Sequence, residues 1–237
     1  MNFMTITDRC IDLIESNRIS STEMADALDK NGVMPGFISV NPGKFLTGKM
    51  HYVYTHSQSN WPIHDQIREL PADCVLYVDT FGCEDKAVFG DLVSKYILLY
   101  QKARGIIVNG LLRDIPDLRK YGFPIWCRGF TPLGCYNVEV AESSEIAALA
   151  QSAKERIQDG IVVCDDSGCT MVEAGQIDES FFSKLEMIEL QEDIWAYCIN
   201  TLKWSTYDTV CLKKYLTNSD VLPEFLREKV KQIPFKK

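Results

Sequence analysis

The chain has 237 residues, 46% of them hydrophobic and 24% charged, with a net charge of −8. This is enough for one large globular domain, or one domain with an appendage, and the acidic balance argues against a nucleic-acid binder, which needs a basic face. No run of 18 or more apolar residues occurs, so no membrane span is expected, and the opening MNFMTITDRC lacks the apolar core of a secretory signal.

The nine cysteines are odd in number, form no C-x-x-C pair and lie mostly in apolar runs. The three histidines, His51, His56 and His64, do not cluster with them as zinc ligands do. The expectation is therefore reduced, buried thiols in a cytoplasmic protein.

In chain order, residues 7–15 carry Cys10, Ile11, Leu13 and Ile14 in helical spacing. Ser20-Ser21-Thr22-Glu23 is a capping box for a second helix with Met24, Ala27 and Leu28 on its apolar face, and Gly32 is expected as its left-handed cap. After a turn at Val33-Met34-Pro35-Gly36, residues 49–55 alternate as a strand. A polar loop, a short helix over 63–70, a strand over 74–79 and a second polar loop over 80–86 follow.

The stretch 89–129 organises the rest. Gly90-Asp91-Leu92 opens a helix with Asp91 as a plausible N-cap. Gly105-Ile106-Ile107-Val108 reads as a short buried strand, and Asn109-Gly110-Leu111-Leu112-Arg113-Asp114 leaves its carboxyl end, where open α/β sheets bind ligands. A short helix and another strand close the stretch. Beyond it, residues 136–140 are expected as a strand and 142–158 as a helix, and two apolar runs around Asp165-Asp166-Ser167-Gly168 give the clearest hairpin signal. From Asp178 the pattern turns helical, so residues 178–237 read as a helical extension of a 1–177 domain, with a basic, solvated tip over 229–237.

The central stretch could do specific chemistry. Unpaired N–H groups at a helix start stabilise a carboxylate or phosphate. Arg113 could grip the same anion in bidentate fashion, and Asp114 is a hard oxygen ligand suited to Mg²⁺ or Mn²⁺. Asp91 could be a second carboxylate holding one of the metal's waters. Such a site suits a 2-oxo acid, whose enolate a metal stabilises when a C–C bond breaks. Each part also has a plainer role: an Arg-Asp pair is commonly a surface ion pair, Asp91 a cap and Gly90 a turn residue.

Four segments in order resemble the RraA-like family, which includes the 4-hydroxy-4-methyl-2-oxoglutarate aldolases and has also been labelled demethylmenaquinone methyltransferase-like. They are residues 22–36 (TEMADALDK, Gly32, Met34-Pro35-Gly36), 87–92 (AVFGDL), 105–129 (GIIVNG, Arg113-Asp114, Leu118, FPIW, Arg128-Gly129) and 159–168 (DGIVV, DDSG). The resemblance implies an α/β, swivelling β/β/α fold, and a homotrimer or hexamer with active sites between subunits. It implies that Gly90, Asp91, Leu92 and Val93 present N–H groups to a pyruvate carboxylate, that Arg113 contacts the substrate and that Asp114 holds the divalent metal. In some members a neighbouring subunit's Glu completes the metal shell; here Glu186, Glu189 and Glu192 are candidates. The family's regulatory branch, which inhibits ribonuclease E, lacks the Arg-Asp pair. Three features depart from the family pattern: a slightly longer spacing from Gly90 to Arg113, the charged helix over 142–158, and the C-terminal extension.

The reading is a metal-dependent lyase on a small 2-oxo acid, cleaving a 4-hydroxy-2-oxo acid or decarboxylating oxaloacetate. The alternative is a non-catalytic regulatory or binding protein on the same scaffold, and altered substrate specificity is a third possibility. Methyl transfer has no support, because no G-x-G-x-x-G occurs.

Overall fold

The computed structural model describes residues 4–232, so the last part of the basic tip, 233–237, lies outside the described residues. Two capping boxes open the chain. Thr5 with Asp8 starts α1 (Ile6–Asn17), and Ser20 with Glu23 starts α2 (Ser21–Ala27). The second helix stops at Ala27, not at Gly32. Asp29 and Lys30 already take left-handed backbone, and Gly32, at φ +75°, instead accepts the amide of Met171. A Cβ at Gly32 would sit 2.2 Å from the Met171 carbonyl oxygen, which explains glycine there.

Two short strands follow, β1 (Val33–Met34) and β2 (Ile38–Ser39). The long β3 (Leu46–His56) precedes α3 (Trp61–Gln66), β4 (Val75–Phe81) and β5 (Ala87–Phe89). Next come α4 (Asp91–Lys95), continued by a π turn over Tyr96–Tyr100, and β6 (Gly105–Leu112). Then α5 (Ile115–Tyr121), β7 (Ile125–Phe130) and α6 (Ser144–Ile157) lead to the hairpin of β8 (Ile161–Asp165) and β9 (Gly168–Val172). The long α7 (Glu179–Asn200) and α8 (Glu224–Gln232) follow, with short 3₁₀ and π turns between them. Residues 136–140 form no strand: an isolated bridge pairs Tyr136 with Ser59, whose hydroxyl also donates to the Val138 carbonyl.

The sheet order is β1-β9-β8-β3-β4-β6-β7-β2, with β5 paired to the far end of β6. β3 is the junction. Its first half pairs antiparallel with β8, and its second half begins the parallel run β3-β4-β6-β7. The parallel strands are near-continuous apolar runs because both faces are covered. On one face α3, the α4 segment and α5 contribute Ile63, Ile97 and Leu118 to a core with Val78, Ile106 and Val108. On the other face, Trp126, Tyr77 and Ile107 pack with Ile157 of α6 and with the hairpin. Trp126 is fully buried, and its indole N–H donates to the Asp165 carbonyl at 2.9 Å, tying β7 to the hairpin turn.

A third core joins Cys10 and Ile14 of α1 and Met24 of α2 to Phe181, Leu185 and Ile188 of α7. The far half of α7 builds a separate cluster with Tyr215, Leu222 and Leu226. All nine cysteines are free thiols; seven are buried, Cys135 is half-buried and Cys211 is exposed. Among the described residues no helix is long and apolar enough to cross a membrane.

Candidate active site

β6 is longer than its first four apolar residues suggest. The register breaks between Val108 and Leu111, and the strand resumes to pair Leu111 with Ala87 and Leu112 with Phe89. Arg113 then donates its amide to the Phe89 carbonyl at 3.1 Å. These bonds set Gly90, at the end of β5, directly against Arg113-Asp114. A Cβ on Gly90 would lie 2.1 Å from Asp114 Oδ2 and 2.9 Å from Arg113 Cγ, so the pair fits only because position 90 has no side chain. Asp114 takes left-handed backbone, φ 59°, at the N-cap position of α5. Its carboxylate reaches back to accept the Asp91 amide at 3.3 Å and lies 3.7 Å from Arg113 Nε.

Asp91 is not the cap of α4. Gly90 holds that position, and the carboxylate facing the helix start comes from Asp114, 23 residues away. Asp91 is the first helical residue. Its Oδ2 accepts from Lys95 Nζ at 2.8 Å, and its Oδ1 is buried without a hydrogen-bond partner. Hydrogen bonds to Asp91 and Tyr121 hold the Lys95 ammonium above its ordinary pKa. The amides of Asp91, Leu92 and Val93 precede the first helix-closing bond, Ser94 N to Gly90 O at 3.1 Å. The Leu92 side chain points into solvent, while Val93 packs on the core. α4 runs on into the π turn over Tyr96–Tyr100, whose wider ring holds one more residue than an α turn.

A depression of 260 Å³ opens beside the pair, lined by Arg113, Asp114, Ile115, Phe130, Thr131 and Pro132. Gly134 closes against Arg113: a Cβ there would sit 2.4 Å from Nη1. Neither Lys95 nor Gly134 was singled out from the sequence. The i,i+4 spacing of Asp91 and Lys95 was a readable signal for the first, whereas nothing local marked the second.

One or two carboxylates plus water is the donor set that Mg²⁺ takes, and Asp114 with the orphaned Asp91 oxygen fits that pattern. Among the described residues no three His, Cys, Asp or Glu side chains converge as a fuller metal cage. Glu189 and Glu192 lie on α7, where burial raises their pKa values and the nearby Glu23 carboxylate adds to it.

Residues 21–171 match the model of the RraA-like (Aldolase/RraA) family. A putative 4-hydroxy-4-methyl-2-oxoglutarate aldolase of Halalkalibacterium halodurans is 26% identical over 193 residues, covering 77% of this chain and 86% of the relative. Protein DlpA of Legionella pneumophila is 25% identical over 187 residues, covering 73% of this chain; the match spans only 29% of DlpA's own length. Among solved structures, Streptomyces coelicolor RraAS2, described as an unusual member of the RNase ES inhibitor RraA family, superimposes with a TM-score of 0.57. It is 23% identical, over 78% of this chain and 96% of that one. With a family model spanning the whole stretch from α2 to β9, the chain belongs to the RraA-like family.

Proposed function

We propose that the chain is a divalent-metal-dependent lyase acting on a 2-oxo acid, by aldol cleavage of a 4-hydroxy-2-oxo acid or by decarboxylation of oxaloacetate. The observation that carries this reading is the close approach of Gly90 to Arg113 and Asp114, which sets the Asp114 carboxylate against the first amide of α4 and leaves Arg113 and Asp114 lining a small depression. When bound, Mg²⁺ or Mn²⁺ supplies Lewis-acid polarisation of the 2-oxo group, and Asp114 is the residue that would hold it.

The amides of Leu92 and Val93 bind the substrate carboxylate, and Arg113 grips it or the 2-oxo oxygen. The Asp91 amide is held by Asp114 at 3.3 Å, beyond the usual N–H···O range, so it is readily released to an incoming carboxylate. Asp91, held by Lys95, orients a water that takes the proton of the 4-hydroxyl as the C3–C4 bond breaks. The bonding pair enters the pyruvate enolate, which takes a proton at C3 to give pyruvate. In decarboxylation, CO₂ leaves and the same enolate is protonated.

The test is pyruvate release from oxaloacetate, with Mn²⁺ added and then chelated, on the wild type and on Asp114→Ala. Metal-dependent release above the free-metal rate that is lost in the variant supports the proposal; equal release from both removes it. The proposal extends to a homotrimer or hexamer in which a neighbouring chain completes the site, and the mass in solution tests it. A second reading, a non-catalytic binding protein, is favoured by the exposed Leu92, Tyr96, Leu99 and Tyr100 beside the site. It predicts no turnover with any 2-oxo acid.

A further inference from the structure

The face of the sheet opposite Ile97 and Leu118 carries a cavity of 540 Å³, within the range of small-ligand pockets. It lies between the C-terminal ends of β4, β6 and β7, the β1 turn, α6 and the end of β9, and none of Gly90, Asp91, Arg113 or Asp114 lines it. Its floor holds Asp79, which is 7% exposed. One carboxylate oxygen, Oδ1, accepts from Asn109 Nδ2 at 2.7 Å and from the Thr80 amide at 3.2 Å. The other, Oδ2, has only a long bond from the Tyr52 hydroxyl, 3.4 Å.

Among the described residues no cationic nitrogen lies within 4.0 Å of Asp79. Buried carboxylates are ordinarily paired with a cation. Here the nearest guanidinium on the network is one residue removed: Arg128 Nε donates to Asn109 Oδ1 at 2.8 Å, and its plane lies 4.2 Å over the Phe37 ring. Arg128 is thus fixed as a wall, and Asp79 lines the cavity without a counter-charge in contact.

A second cation lines the same cavity from α6. Arg156 is 66% exposed and held only by a loose pairing with Glu173 at 3.5 Å. An exposed pair of that kind is exchanged at little cost. Phe37 and Tyr77, 6.3 Å apart between ring centres, and Met171 give the cavity one apolar wall among polar neighbours that include Glu173 and Gln176. The cavity therefore offers an unmatched anion, an exchangeable cation and an apolar wall.

We propose that this cavity is a binding site for a free α-amino acid with an apolar side chain, its ammonium on Asp79, its carboxylate on Arg156 and its side chain against Phe37, Tyr77 and Met171. Arg113 and Asp114 do not line this site, and it does not depend on the lyase reading.

Calorimetric titration of the full chain tests it. The probes are L-leucine, L-methionine and L-phenylalanine; 3-methylbutylamine, which lacks the carboxylate; 4-methyl-2-oxopentanoate, which lacks the ammonium; and ribitol. Saturable binding of at least one amino acid is expected, with the amine weaker and no binding by the oxo acid or ribitol that survives in Asp114→Ala. Asp79→Asn, which preserves shape, should weaken amino-acid binding by about tenfold or more, as losing a charge-assisted bond does. Arg156→Ala, at a largely exposed position, should weaken amino-acid binding while leaving the amine unchanged. Failure of all three amino acids to bind below about 10 mM, equal binding by ribitol, or binding indifferent to both substitutions would overturn the proposal.

Discussion

Replacing Gly90 with alanine is the sharpest perturbation of the candidate active site, because it adds one methyl group and touches only the residues in question. Gly90 lies outside the left-handed region, with φ −145° and ψ −141°, so the close contact is the main effect of the substitution. The new Cβ would start 2.1 Å from Asp114 Oδ2, and non-bonded carbon and oxygen do not approach within about 3 Å, so the carboxylate retreats by about 1 Å. Arg113 and Asp114 are both roughly half exposed in their side chains and have solvent to move into. The cost to stability is therefore below the ~1–3 kcal/mol of overpacking a closed core, and the melting temperature should fall by only a few degrees. Catalysis has no such tolerance: a displacement of about 1 Å can cost about 10²-fold in rate, equivalent to about 2.7 kcal/mol of barrier. The assay is metal-dependent pyruvate release, read against the thermal melt of the same preparation. A variant that melts normally and keeps more than a third of wild-type turnover would refute the role given to this contact.

Other perturbations report on separate parts of the molecule. Burial raises the pKa of Glu192, with Glu23 and Asp26 adding to it. The folded chain therefore binds that proton more tightly than the unfolded chain, and stability falls as pH rises through the window above the ordinary value of 4.5. Glu192→Gln should raise the urea midpoint at neutral pH and flatten its dependence between acid and neutral. Trp126→Ala should cost about 3–5 kcal/mol in denaturant titration, because it empties a fully buried site and strands the Asp165 carbonyl. Ser20→Ala removes the cap that accepts the Glu23 amide at 3.2 Å, and should cost about 1 kcal/mol by the same measurement.

The elements that the sequence made legible are those whose signals are local. The hairpin around Asp165-Asp166-Ser167-Gly168 and the capping box at Ser20 depend only on near neighbours, and both form as expected. The misreadings all come from distant partners. Asn109-Gly110 has the composition of a turn, yet it sits inside β6, where Gly110 is glycine because a Cβ would meet Thr80 at 2.8 Å. Residues 136–140 have strand composition but no neighbouring strand to receive them beyond single bridges. At the candidate site, Gly90, Arg113 and Asp114 could be singled out from the sequence, and they stand together. The Asp114 carboxylate in front of α4 could not be foreseen, since it depends on β5 pairing with the far end of β6.

The sharing of one core by α1, α2 and α7 has a consequence for how the chain comes off the ribosome. Cys10, Ile14 and Met24 are synthesised first, yet part of their cover is Phe181, Leu185 and Ile188. At about 5–20 residues per second, the nascent chain holds those apolar faces incomplete for roughly ten to thirty seconds. Their burial is a late event with high contact order, so the N-terminal helices close on a hairpin and a long helix that emerge well after them. A chain stopped before α7 would keep that surface open permanently, making premature termination damaging to solubility even though every strand of the sheet has been made.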